Sequence, residues 1–180
     1  SGTFNMIDSN IERRWLFTSR FETLCEIAEI LECPIISLCT GSKNPASRWK
    51  WDERNLLESS WKDLLETTER ILPYANKHGI TLGVETETSN IINTPEKTRA
   101  YLDSFPGKGL GVIMDGANLF SSGKNADMTA VLRRAFQLLG SDIVTVHAKD
   151  ILASQDLKFT APGKGIFDFK LYFSLLKKYG

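Results

Sequence analysis

The sequence has no excess charge of either sign: 22 Lys and Arg stand against 22 Asp and Glu. A neutral chain has no overall pull towards nucleic acid or an anionic membrane. Nor does it contain a run approaching the roughly 20 apolar residues of a membrane span. The opening Ser1-Gly2-Thr3-Phe4-Asn5 lacks the basic start and apolar stretch of a secretory signal. Cysteine is sparse and odd in number: Cys25, Cys33 and Cys39, with no CxxC spacing. That argues for reduced core thiols of a cytosolic protein over a disulfide framework or a zinc site. A glycine-rich first turn, the mark of an open dinucleotide-binding sheet, is also missing.

What is present is an alternation of helical and strand patterns with no low-complexity linker. At 180 residues and 42% hydrophobic content, positions 1–180 suit one domain with a real core. Phe17, Phe21, Leu24, Ala28 and Leu31 recur at steps of three and four, predicting one amphipathic helix from Ile11 to Leu31. Ile35 to Thr40 is a short apolar run suited to a buried strand. A polar loop over Gly41–Asp52 leads to a helix from Glu53 to Lys77, with Gly79 as its C-cap and His78 exposed at its end. Ile80–Glu85 is a second strand. Thr94 and Pro95 start a helix running to about Phe105, as N-cap and first helical residue. Leu110–Asp115 is the third strand. Asp127 caps a helix bearing Leu132, Ala135, Phe136 and Leu139, and Ile143–His147 is the fourth strand. Asp168 caps a last helix, with Phe169, Phe173, Leu176 and Tyr179 on one side.

Apolar strands alternating with helices predict a parallel sheet covered by helices. Two architectures fit, a (β/α)8 barrel and an open doubly wound sheet; the second usually shows the glycine-rich turn that is missing here, and four strands are too few to close a barrel of the usual eight. The expected fold class is α/β.

Three of the strands end in a polar residue able to bind metal: Glu85, Asp115 and His147. Successive members lie 30 and 32 residues apart, about one βα unit each. Each then sits at the C-terminal end of a successive parallel strand, where barrel active sites lie. A strand-end carboxylate is often only a helix cap, and a lone histidine is often structural. Three in register on consecutive strands point instead to a site. Two carboxylates and an imidazole suit one divalent ion: Mn²⁺, Mg²⁺, Co²⁺ or Zn²⁺.

Several stretches, in this order and spacing, resemble the xylose-isomerase-like sugar phosphate isomerase/epimerase family of the endonuclease IV-like superfamily. They are Leu82-Gly83-Val84-Glu85, Val112-Ile113-Met114-Asp115-Gly116-Ala117-Asn118, Val146-His147-Ala148-Lys149-Asp150, and Pro162-Gly163-Lys164-Gly165 with Asp168. Leu38 to Ser42 and Arg48-Trp49-Lys50-Trp51 resemble one branch of that family. The resemblance spans nearly the whole chain. It implies a TIM barrel lacking its first strands and its last one or two. It also implies one divalent metal held by Glu85, Asp115, His147 and a second Glu on a later strand, beyond Gly180.

The implied activity is isomerisation or epimerisation of a sugar or sugar phosphate through a metal-stabilised enediolate. Glu85 would be both ligand and acid/base, with the second Glu as its partner. Arg48, Asn118 and Lys149 are candidates to contact substrate. Each has a plain alternative, as a solvated loop cation for Arg48 and Lys149 and as a turn cap for Asn118. Lys164 between two glycines is a weak candidate for phosphate. Some family members carry a histidine where this chain has Asn118, so no imidazole role transfers there.

Other readings stand beside this one. A lyase of the inosose dehydratase type would use the same metal and enolate chemistry. An apurinic-site endonuclease-like hydrolase would need many histidines, against the two present. A catalytically inactive fragment would leave open sheet edges prone to pairing, as in a homo-oligomer. The expected partners are a small-molecule sugar or sugar phosphate, with no nucleic acid and no membrane, in the cytoplasm.

Overall fold

The computed structural model describes residues 4–107, 109–120, 127–153 and 158–179. Ser1, Gly2, Thr3 and Gly180, on which the readings of the two chain ends turned, lie outside these.

Four parallel strands form the central sheet in the order β1-β2-β3-β4: β1 Ile35–Leu38, β2 Thr81–Glu85, β3 Leu110–Asp115 and β4 Ile143–His147. Each is joined to the next by a helical crossover: α3 Glu58–Lys77, α4 Pro95–Asp103 and α5 Met128–Leu139. Ahead of β1 lie α1 Ile11–Ser19 and α2 Phe21–Ile30. A short antiparallel pair, β5 Asp150–Ile151 with β6 Phe159–Thr160, follows β4, and α6 Phe169–Tyr179 comes last. Among the described residues no helix is long and apolar enough to cross a membrane.

The core follows from strand alternation. Ile36, Leu38, Leu82, Val84, Val112 and Met114 join one buried cluster with Leu64, Ile71, Tyr101, Leu132 and Phe136 from the helices. Residues one step along, Gly83, Glu85, Ile113 and Asp115, take the opposite face. Gly83 is required there, because a Cβ would meet Ile113 Cγ1 at 2.7 Å across the sheet. The register of β4 is unusual. Val112 pairs with Ile143, but Ile113 pairs with Thr145, so Val144 is passed over as a bulge. This one-residue shift sets His147, rather than Val146, opposite Asp115. Without it the imidazole would turn to the other face of the sheet.

The expected caps are in place. Thr94 accepts from the N–H of Lys97, Asp127 from Ala130 and Asp168 from Leu171. Gly79 adopts a φ of +65°, the left-handed turn that ends α3.

Five expectations are corrected. The helix predicted over Ile11–Leu31 is two helices, broken at Arg20. Its stripe holds at Phe21 and Ala28, while Phe17 and Leu31 are exposed. The segment from Glu53 begins as a 3₁₀ turn, Glu53–Leu56, before α3. On α6 the buried residues are Tyr172 and Leu175, while Phe173 is exposed. Of the three thiols, Cys25 and Cys39 are buried but Cys33 is exposed. His78 is not exposed as expected: its side chain is only 11% accessible, and Nδ1 lies 2.6 Å from Glu29.

Candidate metal centre

Glu85, Asp115 and His147 end β2, β3 and β4, and the register puts all three on one face. Each offers one ligand atom, and the three atoms lie within 4.8 Å of one another. His147 Nδ1 is 3.6 Å from Glu85 Oε2 and 3.5 Å from Asp115 Oδ2. Metal–ligand bonds near 2.1 Å place neighbouring ligands roughly 3 Å apart, so only a small inward adjustment is needed.

The two oxygens of Asp115 do different work. Oδ1 accepts the backbone N–H groups of Ala117 and Asn118 at 3.1 and 3.3 Å. The cap reading of Asp115 is therefore correct for this one oxygen. Oδ2 is buried and accepts no aligned hydrogen bond. Instead it faces His147 Nδ1 and, at 2.9 Å, the ammonium of Lys149. A buried anionic oxygen left without a donor is costly unless a cation neutralises it. That oxygen, with the two facing ligands, fits a divalent ion.

Glu85 is the second carboxylate. Burial pushes its pKa above the ordinary 4.5, and the charge of Asp115 adds to this, against the nearby charges of His147 and Lys149. Its Oε1 accepts the side-chain amide of Asn118 at 2.5 Å. The other end of that amide, Oδ1, accepts from Lys149 Nζ at 2.8 Å. Two of the three substrate-contact candidates, Asn118 and Lys149, are thus drawn into the cluster and held by its carboxylates.

Arg48, the third, lies elsewhere. It lines a cleft of about 740 Å³ with Asn5, Arg13, Lys43, Asn44 and Trp49, which does not include the carboxylate–histidine trio. It still belongs to the same end of the sheet. The Cys39 thiol just beyond β1, pushed up to about 11 chiefly by burial, feels the charges of Arg48, Glu87 and Glu85. Lys164 is exposed in its loop.

Three supporting residues were given no role in the sequence reading. Tyr172 on α6 is buried, and its hydroxyl donates to Met114 O at 2.6 Å, next to Asp115 at the end of β3. Burial and the negative Asp115 raise its phenol pKa. Asp150 is buried and accepts backbone N–H groups from Ile151, Gly165 and Phe167, fastening the Gly163–Gly165 loop to β5. Asn90 accepts from Gly41 N and donates to Arg48 O, tying down the loop that carries Arg48. An aspartate after His-x-Lys was the only available signal for Asp150. Nothing in the sequence marked Asn90.

The model of the xylose isomerase-like TIM barrel family matches residues 1–180, and the chain belongs to that family. It is 28% identical over 139 residues to an inosose dehydratase of Glaesserella parasuis serovar 5, which covers 68% of this chain and 45% of that protein. A xylose isomerase-like TIM barrel protein from Mycobacterium smegmatis, solved in complex with magnesium, superposes with a TM-score of 0.72 at 15% identity. That match covers 95% of this chain and 59% of the other. A D-allulose 3-epimerase from Methylomonas sp., solved with D-allulose, superposes with a TM-score of 0.69 at 15% identity. It is covered to 56%, and this chain to 97%. The structural likenesses establish the fold: the four βα units here are part of a TIM barrel, spanning under two thirds of each protein's length.

Proposed function

We propose that the chain forms part of a divalent-metal-dependent sugar or sugar-phosphate isomerase/epimerase, with Glu85, Asp115 and His147 as three of the metal's ligands. The observation that carries this reading is the convergence of those three ligand atoms within 4.8 Å at the ends of three successive strands. The buried Asp115 Oδ2, which lacks an aligned donor, supports it.

A divalent ion held there supplies Lewis-acid stabilisation of negative charge on a substrate carbonyl oxygen. Glu85 takes the proton from the carbon beside that carbonyl. Its raised pKa suits a base that must also hold a proton. Asn118 orients Glu85 through Oε1 and leaves Oε2 facing the ion site. Asp115 keeps its charge aimed at the site because backbone N–H groups fix its other oxygen. Return of the proton to the opposite face, or to the neighbouring carbon, needs a second acid, the role the family resemblance gives to a Glu on a later strand. Arg48, Asn118 and Lys149 are the side chains we assign to substrate hydroxyls or phosphate.

A dehydratase is the second reading, favoured by the likeness to inosose dehydratase. Proton removal would be the same, and loss of hydroxide from the next carbon would replace reprotonation. The sugar partner is supported by the D-allulose held by one structural neighbour. The three free cysteines support a reducing, cytoplasmic setting.

Solvent exchange tests the chemistry. A chain extended past Gly180 is incubated with Mn²⁺ and a ketose in D₂O, and deuterium beside the carbonyl is read by NMR. Incorporation into an isomeric sugar, abolished by Glu85→Gln, is expected. Formation of an unsaturated product selects the dehydratase, and exchange untouched by Glu85→Gln contradicts both.

A further inference from the structure

We propose that the Lys149 ammonium and the divalent ion compete for one oxygen, Asp115 Oδ2, so that filling the site releases Lys149 towards its mouth. This rests on the metal reading above and describes how that site is filled.

Asp115 Oδ2 is the ligand atom most buried in the protein. Its side chain has no accessible surface, against 23% for Glu85 and 48% for His147. Its counter-cation is Lys149 Nζ at 2.9 Å. The contact is ionic rather than an aligned hydrogen bond. Lys149 sits among groups of the same cluster. It touches Asp115 Oδ2 and Asn118 Oδ1, and Asn118 in turn holds Glu85. An ion bonded to Oδ2 at about 2.1 Å would lie no more than about 5 Å from the ammonium in its present place. Two cations at that range in a partly buried pocket repel strongly.

The lysine is the one able to move. Its side chain is 31% exposed and carries a flexible four-carbon stem, whereas Asp115 is fixed by two backbone N–H groups. A resting place is already in contact: Nζ lies 4.4 Å from the ring centroid of Phe159 on β6, a residue 44% exposed. A cation held on an aromatic face keeps its charge at the mouth of the site. There it can meet a substrate oxygen once the ion is in place.

A supporting role for Lys149 predicts the opposite sign. If the ammonium merely steadied Asp115 for the metal, its removal would weaken binding. Competition predicts that removal tightens it.

Isothermal titration of Mn²⁺ into wild type, Lys149→Met and Lys149→Gln at one pH and ionic strength separates the two. Circular dichroism confirms the fold of each variant. Both variants are expected to bind with a Kd lower by roughly tenfold, the size of effect outer-shell groups exert on metal sites. Both are also expected to melt earlier without metal, having lost Asp115's counter-ion, and to gain more on adding it. Lys149→Arg keeps the competing charge and should bind no tighter than wild type. A Kd unchanged or raised in folded Lys149→Met and Lys149→Gln overturns the competition while leaving the metal reading intact. Failure of every protein to bind Mn²⁺ overturns the metal reading and this inference with it.

Discussion

Asn118 holds Glu85 with its side-chain amide, Nδ2 to Oε1 at 2.5 Å, and so ties the end of β3 to the end of β2. The sequence reading offered Asn118 to the substrate. In the structure it donates to the Glu85 carboxylate and, through Oδ1, accepts from Lys149. Asn118→Ala is expected to raise the Kd for Mn²⁺ by roughly tenfold, as loss of a ligand-orienting partner does elsewhere. Because Asn118 touches both Glu85 and Lys149, its effect and that of Lys149→Met are expected to be non-additive in a double-mutant cycle. Titration calorimetry on the four proteins checks both statements. Strict additivity, or an unmoved Kd in Asn118→Ala, contradicts them.

Tyr172 supports the site, donating to Met114 O at 2.6 Å and approaching His147 O at 3.3 Å. Tyr172→Phe keeps the ring packing against Phe136 and Phe167 and removes only the hydroxyl. A loss of about 1–2 kcal/mol in unfolding free energy is expected, the usual effect of deleting one buried hydrogen bond. Urea denaturation measures it. In alkaline titration followed at the tyrosinate absorbance, Tyr172 should ionise above the ordinary range of an exposed tyrosine, since burial raises its pKa. A stability change within experimental error would show that the hydroxyl carries no structural role.

Asp150 fastens the glycine loop, and its pH dependence has a definite sign. Burial opposes its charge, but the N–H groups of Phe167, Gly165 and Ile151 outweigh burial and hold its pKa below the ordinary 3.8. A carboxylate with a depressed folded-state pKa contributes stability above its unfolded value, and that stability is lost as pH falls through the folded value. Asp150→Asn is therefore expected to be less stable than wild type at pH 7, with the gap closing below pH 3.8. Asp150→Ala, which leaves those N–H groups without their acceptor, should cost more, about 2–4 kcal/mol at neutral pH. Denaturation midpoints across the pH range test this. A gap that widens in acid contradicts it.

Much of this was legible in the sequence, for identifiable reasons. Strands β3 and β4 matched their predicted bounds, because apolar runs bracketed by helix caps leave few alternatives. Glu85, Asp115 and His147 could be grouped as neighbours because a βα unit has a nearly fixed length, so residues at its period share one end of the sheet. The bulge at Val144 was not legible. It depends on how β4 lies against β3, and counting residues from Val112 in regular register would have put His147 on the wrong face. The break at Arg20 has no glycine or proline to announce it. On α6, with aromatic residues on several sides, the apolar stripe could not say which face is buried, and Tyr172 was passed over for Phe173. Asp150 and Asn90 act through backbone groups distant in sequence, which a pattern of side chains does not encode.

The central claim is that three strand ends make one metal site, and thermal unfolding with and without Mn²⁺ tests it most directly. An ion that binds only the folded chain raises Tm in proportion to the logarithm of its concentration over Kd. Wild type is predicted to melt higher with Mn²⁺, and Glu85→Gln and His147→Ala are each predicted to lose that rise. A rise of the same size in both variants would contradict the assignment of Glu85, Asp115 and His147 as the metal's ligands.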